Sequence, residues 1–153
     1  MSRAFIKETD DCPEELVERR VSTHTNLVTR EGLASIEEHL AAAATAQGAA
    51  QSAGDDPALA RAGRDLRYWQ SRRHTAQLMP EPKADGTIQF CHAVTIRRND
   101  GRQQIFSIVG EDEADRRLGR ISYVSPLARA LLESRMGDTV RIGPSEAMII
   151  KVE

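Results

Sequence analysis

Ile121-Ser122-Tyr123-Val124-Ser125-Pro126-Leu127-Ala128-Arg129-Ala130-Leu131-Leu132 changes backbone type in the middle. Ile121 to Val124 has the β-branched and aromatic make-up of a short strand. Ser125 then supplies an N-cap oxygen, and Pro126 fits the first helical position, where its missing N–H leaves no bond unmade. The helix this predicts runs through Leu132 and stops at Gly137. Working outward, Ile88, Phe90, His92, Val94 and Ile96 alternate as in a half-buried strand. Asn99-Asp100-Gly101 follows as a tight-turn signal, and Ile105, Phe106, Ile108 and Val109 form the returning strand. Two more short strands are expected around Val140-Arg141-Ile142 and from Ala147 to Val152. Residues 81–153 therefore read as an α+β domain, an antiparallel sheet with one helix across a face.

Toward the N-terminus the period becomes helical. Leu33, Ile36, Leu40, Ala43, Gln47 and Ala50 recur at alternating spacings of three and four, after a candidate cap at Thr29. Leu59, Ala62, Leu66, Trp69, Arg73 and Ala76 repeat the pattern, and Pro80 and Pro82 end it. Between the runs lies Gly54-Asp55-Asp56-Pro57, read as a helix stop, an N-cap at Asp56 and a proline at the first helical position. Two helices joined so briefly must run antiparallel, so residues 27–80 form a helical hairpin, an arm reaching roughly 35 Å. The seam is apolar at the base and almost wholly alanine from Ala41 to Ala53. Alanine favours helix but buries little area, so the base should be firm and the tip loose. Trp69 falls on the seam and is assigned to the core.

Residues 1–26 are charged and aperiodic, and are expected to form a flexible extension. Composition narrows the function. Over 153 residues the net charge is −2, which argues against bulk binding to duplex DNA and against sequence-specific DNA recognition by this chain alone. Aromatics make up only 4%, too few for a base-stacking platform. Cys12 and Cys91 fit neither a metal motif nor a disulfide framework, and no apolar run reaches membrane-spanning length, so a reducing, cytoplasmic setting is the expectation. His24, His39, His74 and His92 lack metal-ligand spacing.

The block from Phe106 through Gly110-Glu111-Asp112-Glu113-Ala114-Asp115, with Ile121 to Leu132 and Gly137-Asp138, resembles the C-terminal domain of the bacterial Gre transcript-cleavage factors. Leu27-Val28-Thr29-Arg30-Glu31-Gly32 resembles the opening of the Gre arm. The resemblance implies a coiled-coil arm and an FKBP-like domain, acting as a monomer. It implies that the domain docks at the rim of the RNA polymerase secondary channel while the arm enters it. Acidic tip residues would then help hold a catalytic Mg²⁺ at the polymerase active site, and the polymerase, not the factor, would cleave backtracked RNA. No cofactor is stably bound on this reading, and the nascent RNA 3′ end is a possible contact.

At the tip this sequence departs from the family pattern of Asp, two residues, then Glu-Asn. With Asp55 on the first Asp, Ala58 and Leu59 stand where Glu and Asn belong, so only Asp55 carries over, with Asp56 as a second carboxylate. The arm is also several turns shorter than expected of a cleavage factor. A channel-occupying competitor that does not cleave is therefore an alternative. A peptidyl-prolyl isomerase is another, disfavoured because the domain offers only Phe90, Phe106 and Tyr123 for an aromatic pocket.

The arm's second helix carries Arg61, Arg64, Arg67, Arg72 and Arg73. Folding about the tip places residue i opposite roughly 110 − i, so Arg72 and Arg73 should face Glu37 and Glu38 as surface pairs. Arg61, Arg64 and Arg67 face alanines and are candidates for RNA phosphate or acidic polymerase contacts. Glu111, Asp112 and Glu113 are read as a polar docking loop, with Ser125, Pro126 and Arg129 beside them on the implied polymerase-facing surface.

Overall fold

The computed structural model describes residues 16–153; Cys12 lies outside that range. The arm consists of α1 (Arg30–Ala53) and α2 (Asp56–Thr75), packed antiparallel along their lengths. Thr29 caps α1 as expected, its hydroxyl accepting from Gly32 N–H at 3.0 Å. The link is tighter than the expected turn, only Gly54-Asp55 separating the helices. Gly54 adopts φ 66°, a left-handed conformation that favours glycine. Its N–H reaches Gln51 C=O while Asp55 N–H reaches Ala50 C=O, the paired bonds of a Schellman stop.

The cap of α2 differs from the expectation. Asp55, not Asp56, is the N-cap, its carboxylate accepting from Ala58 N–H at 3.0 Å. Asp56 falls inside the first helical turn, ahead of Pro57. Asp55 thus ends one helix with its N–H and starts the next with its side chain, which is why two residues suffice.

A short parallel pair, β1 (Leu27–Val28) with β2 (Gln77–Leu78), joins the two ends of the hairpin. Strands of two residues leave no period in the sequence by which to detect them. The arm's own core contains Val28, Ile36, Ala43 and Trp69, with Leu33, Leu40 and Leu66 around them. Trp69 is a core residue, as expected, and stacks on the His39 ring at 4.4 Å. Further out the seam is small, with Ala50, Ala62 and Gly63 buried.

The second domain is a curled five-stranded sheet of β3 (Ala93–Arg98), β4 (Gln103–Val109), β5 (Arg120–Ser122), β6 (Thr139–Ile142) and β7 (Ser145–Val152), in the order β5-β4-β3-β7-β6. The turn at Asn99-Asp100-Gly101 joins β3 to β4 in antiparallel register. The sheet is mixed and not wholly antiparallel, because β5 pairs parallel to β4 after the connection through two short 3₁₀ turns. Residues 88–92, expected to open the first strand, instead form an irregular stretch with a turn at Phe90-Cys91 before it, Cys91 adopting φ 75°. The helix α3 (Pro126–Leu131) is capped by Ser125, which accepts from Ala128 N–H at 3.2 Å. It buries Ala128 and Leu131 against Ile88, Val94, Ile96, Ile108 and Ile149. The two cores meet at β1, where Leu27 packs on the domain and Val28 on the arm. Alternation along a strand sends neighbouring side chains to opposite sides.

A charged clasp, an arm tip and an arginine strip

The joint between arm and domain is polar and largely buried. Arg72 is 1% exposed. Its Nε donates to Asp112 Oδ2 at 2.5 Å, and Nη2 donates to Asn26 Oδ1 at 2.7 Å. Glu111 Oε2 lies 3.9 Å from the same guanidinium, and its other oxygen accepts from Ser22 at 3.0 Å. Tyr68 OH donates to Asp112 Oδ1 at 2.5 Å. Burial and that carboxylate partner push the Tyr68 phenol up to about 12. Asn26, 4% exposed, returns its amide N–H to Arg72 C=O at 2.8 Å.

Glu113 makes the second half of the clasp. Its carboxylate accepts from Thr29 N–H and Gly110 N–H, each at 3.1 Å, and from the Thr29 hydroxyl. It fills the space beside Gly32, where a Cβ would overlap the carboxylate carbon. Gly110 must likewise lack a side chain, since its Cβ would come within 2.5 Å of Leu27 C=O. The Gly32 and Glu113 positions thus explain each other.

These contacts correct two expectations. Arg72 is not a surface partner of Glu37 or Glu38; Arg73 alone takes that role, pairing with Glu37 at 2.9 Å. Glu111, Asp112 and Glu113 do not form a loop offered outward: their side chains turn in to hold the arm. A buried arginine on a helix reads, from sequence, like any other surface arginine. The signal that could have found it is the acidic triplet carried on the domain, which needs a cation.

Ser125, Pro126 and Arg129 sit together at the start of α3, Pro126 and Arg129 exposed and Ser125 used as the cap. Ser125 and Pro126 border a groove of about 550 Å³ with Phe106, Leu127, Ile142 and Arg141. Phe106 is its one aromatic, while Phe90 and Tyr123 pack edge to face at 5.7 Å.

At the tip the Asp55 carboxylate is engaged as a cap, while Asp56 is exposed and makes no side-chain hydrogen bond or ion pair among the described residues. The two lie at the far end of the arm from the clasp. No group of three or more His, Cys, Asp or Glu converges as a metal site among the described residues.

The arginines of α2 are not all unpartnered. Residues 16–26, expected to belong to a flexible extension, run along the arm. Glu18 pairs with Arg67, with one bond at 3.2 Å, and that arginine holds the Glu18 carboxyl below its ordinary range. Arg19 lies over the Tyr68 ring at 3.9 Å and reaches Asp65 at 3.4 Å. Arg64 also bonds Asp65, at 3.2 Å, and Arg61 is exposed.

Residues 82–153 match the family model described as the C-terminal domain of the transcription elongation factors GreA/GreB. Its second domain is thus of the GreA/GreB C-terminal type. Transcription elongation factor GreB of Neisseria meningitidis serogroup B is 38% identical over 96 residues, 59% of each chain. Transcription elongation factor GreA of Legionella pneumophila is 42% identical over 71 residues, 44% of this chain and 41% of that one. The aligned stretches therefore span about half the length of these relatives. Among solved structures, the GreA factor homolog Gfh1 of Thermus thermophilus overlaps 85% of this chain and 99% of its own, at 19% identity and a TM-score of 0.42. Among the described residues no helix is long and apolar enough to cross a membrane.

Proposed function

We propose that this protein is a GreA/GreB-type, RNA polymerase-binding regulator of transcript elongation, working in the cytoplasm as an accessory factor without chemistry of its own. The observation that carries the reading is the family match over residues 82–153, the whole of the domain to which the arm is clasped. In this reading the domain docks at the rim of the secondary channel, and the arm enters toward paused or backtracked RNA. Pro126 and Arg129, beside the groove at Phe106 and Leu127, offer the docking face, since Glu111 to Glu113 are occupied by the clasp. The arm's 24-residue first helix gives a reach of about 36 Å.

The tip favours one mode of action. A hard cation needs several oxygen ligands, and a factor assisting the polymerase must bring at least one unengaged carboxylate. Asp55, the position matching the family pattern, already spends an oxygen on Ala58 N–H. Asp56 is free but stands beside the matching position, and Ala58 replaces the second acid. The residues present fit shared Mg²⁺ chemistry poorly, and the reading they favour is occupancy of the channel without cleavage.

Backtracked elongation complexes with 3′-labelled RNA test both levels. The protein should bind the complexes, release no short 3′ fragments, and protect the RNA from an authentic cleavage factor. Fragment release that disappears in Asp55→Asn or Asp56→Asn would restore the cleavage reading. Failure to bind polymerase at all would overturn the proposal.

A further inference from the structure

Residues 16–26, ahead of the arm, are held in two unequal ways. The inner half is fixed: Asn26 is buried against Arg72 and Thr75, and β1 follows in the parallel pair with β2. The outer half rests on exposed contacts. The Glu18 and Arg67 side chains are 60% and 59% exposed, and Arg19 and Asp65 are 36% and 37% exposed, against 2% for Arg72. Exposed pairs are weak and screened by salt, whereas the buried clasp is not. The segment is therefore anchored at Ser22, which holds Glu111, and is held only by exposed contacts from residue 16 to residue 19.

What the outer half covers is specific. Arg61, Arg64 and Arg67 recur every third residue along α2, a basic strip on one flank of the arm. Glu18 places its carboxylate on Arg67, while Arg19 competes with Arg64 for Asp65 and lies across Tyr68. Leu16 and Glu18 also border the groove between the helices beside Gly63 and Leu59. A carboxylate on an arginine occupies the place a phosphate oxygen would take, because both are bound by the same forked donors.

We infer that residues 16–22 form an autoinhibitory strap, occupying the arginine strip of the arm at Arg67 and yielding that position to single-stranded RNA when the strap lifts. The inference rests on reading Arg61, Arg64 and Arg67 as phosphate contacts, and is independent of how the domain meets polymerase. The RNA strand replaces Glu18 on Arg67 and extends along Arg64 and Arg61. Arg19 leaves Asp65 and the aromatic rings.

The test uses the full chain alone with a fluorescent oligouridylate, so that its failure is separate from any failure to bind polymerase. Glu18→Ala/Arg19→Ala frees the strap without changing net charge. It should tighten RNA binding about three- to tenfold, the worth of two exposed pairs and one cation–π contact. The dependence of log affinity on log salt should steepen by roughly 0.7 for each phosphate gained. Trp69 is the chain's single tryptophan and lies 5.2 Å from the Arg19 guanidinium, so its emission reports the strap directly. Adding RNA to the unmodified chain should shift Trp69 emission toward that of the double variant, a readout that requires no mutant to fold. Adding Arg61→Gln and Arg64→Gln to the freed strap should abolish the gain. Equal RNA affinity with and without Glu18 and Arg19, RNA binding that leaves Trp69 unchanged, or no binding by either protein would each overturn the inference. A gain for polyglutamate matching that for RNA would overturn the assignment of RNA as the occupant.

Discussion

The base and the tip of the arm are held by opposite means. At the base Arg72, 1% exposed, is fixed by Asp112, Asn26 and Glu111, and Trp69 and Ile36 are buried beside it. At the tip the buried residues are Ala50, Ala62 and Gly63, and order comes from the Schellman stop at Gly54 and the cap by Asp55. The base is a matter of directed polar contacts between parts distant in sequence; the tip is a matter of local backbone chemistry. A directed charge network tolerates few geometries, so the base sets where the arm points. The tip, with little side-chain packing, can change its outward residues without disturbing that direction.

The sharpest way to break this contrast is Arg72→Leu. Removing the cation leaves the partly buried Asp112 and Glu111 carboxylates without the guanidinium that offsets their charge, which should destabilise the chain by about 3–5 kcal/mol. Urea unfolding followed by far-UV circular dichroism measures it. Replacing Asp112 with Leu as well should recover part of the loss, because the carboxylate bonded directly to Arg72 is then no longer orphaned and only Glu111 remains. A loss below about 1 kcal/mol for Arg72→Leu alone would mean that the clasp is not what ties arm to domain.

The same contrast explains what could be read from the sequence. Thr29, Gly54 and Ser125 sit at helix ends because capping is local, and each signal was visible within four residues of chain. The pairing of Arg73 with Glu37 followed from the fold of the hairpin alone. Arg72 could not be placed the same way. Its carboxylate partners lie on another domain, and one position along a helix turns a side chain from solvent to the joint. The exchange of roles between Asp55 and Asp56 was missed for a different reason. Either Asp could cap before Pro57, and only the shortness of the link, with Asp55 serving both helices, decides between them. The parallel pairing of β5 was hidden because three residues carry no direction. At the candidate site, the tip carboxylates and the arginine strip were legible as residue types, while the strap that covers the strip was not, since Glu18 and Arg19 belong to an aperiodic stretch.

A smaller change at the base is Tyr68→Phe, which keeps the ring and removes one hydrogen bond to the Asp112 carboxylate. The loss near neutral pH should be about 1.5 kcal/mol, the worth of a bond to a charged group. Its pH dependence is distinctive. The folded-state phenol is raised from 10.0 to about 12, first by burial and then by its bond to Asp112. A raised value means the contribution is fully present below the unfolded value and is lost as pH rises through the folded one. The unmodified chain should therefore lose stability relative to Tyr68→Phe between pH of about 10 and 12, and its advantage should vanish within that range. Parallel pH profiles would show that the phenol's proton does not serve the clasp.

The smallest effect belongs to the tip, and it separates structure from function at one residue. Asp55→Ala removes the oxygen that accepts from Ala58 N–H, and loss of an N-cap costs about 1 kcal/mol. Because the tip's neighbours are alanines, the loss should stay local. Amide exchange should speed up in the first turn of α2, from Asp56 to Leu59, while Trp69 and the clasp remain protected. Asp55→Asn keeps an oxygen in the capping position and removes only the charge, so its exchange should match the unmodified chain. Any change that Asn brings to polymerase-bound RNA is then electrostatic, and any change confined to Ala is structural. If Asp55→Ala instead loosened amides throughout α2 down to Arg72, tip and base would form one cooperative unit. The division of the arm into a directed base and a locally ordered tip would then fail.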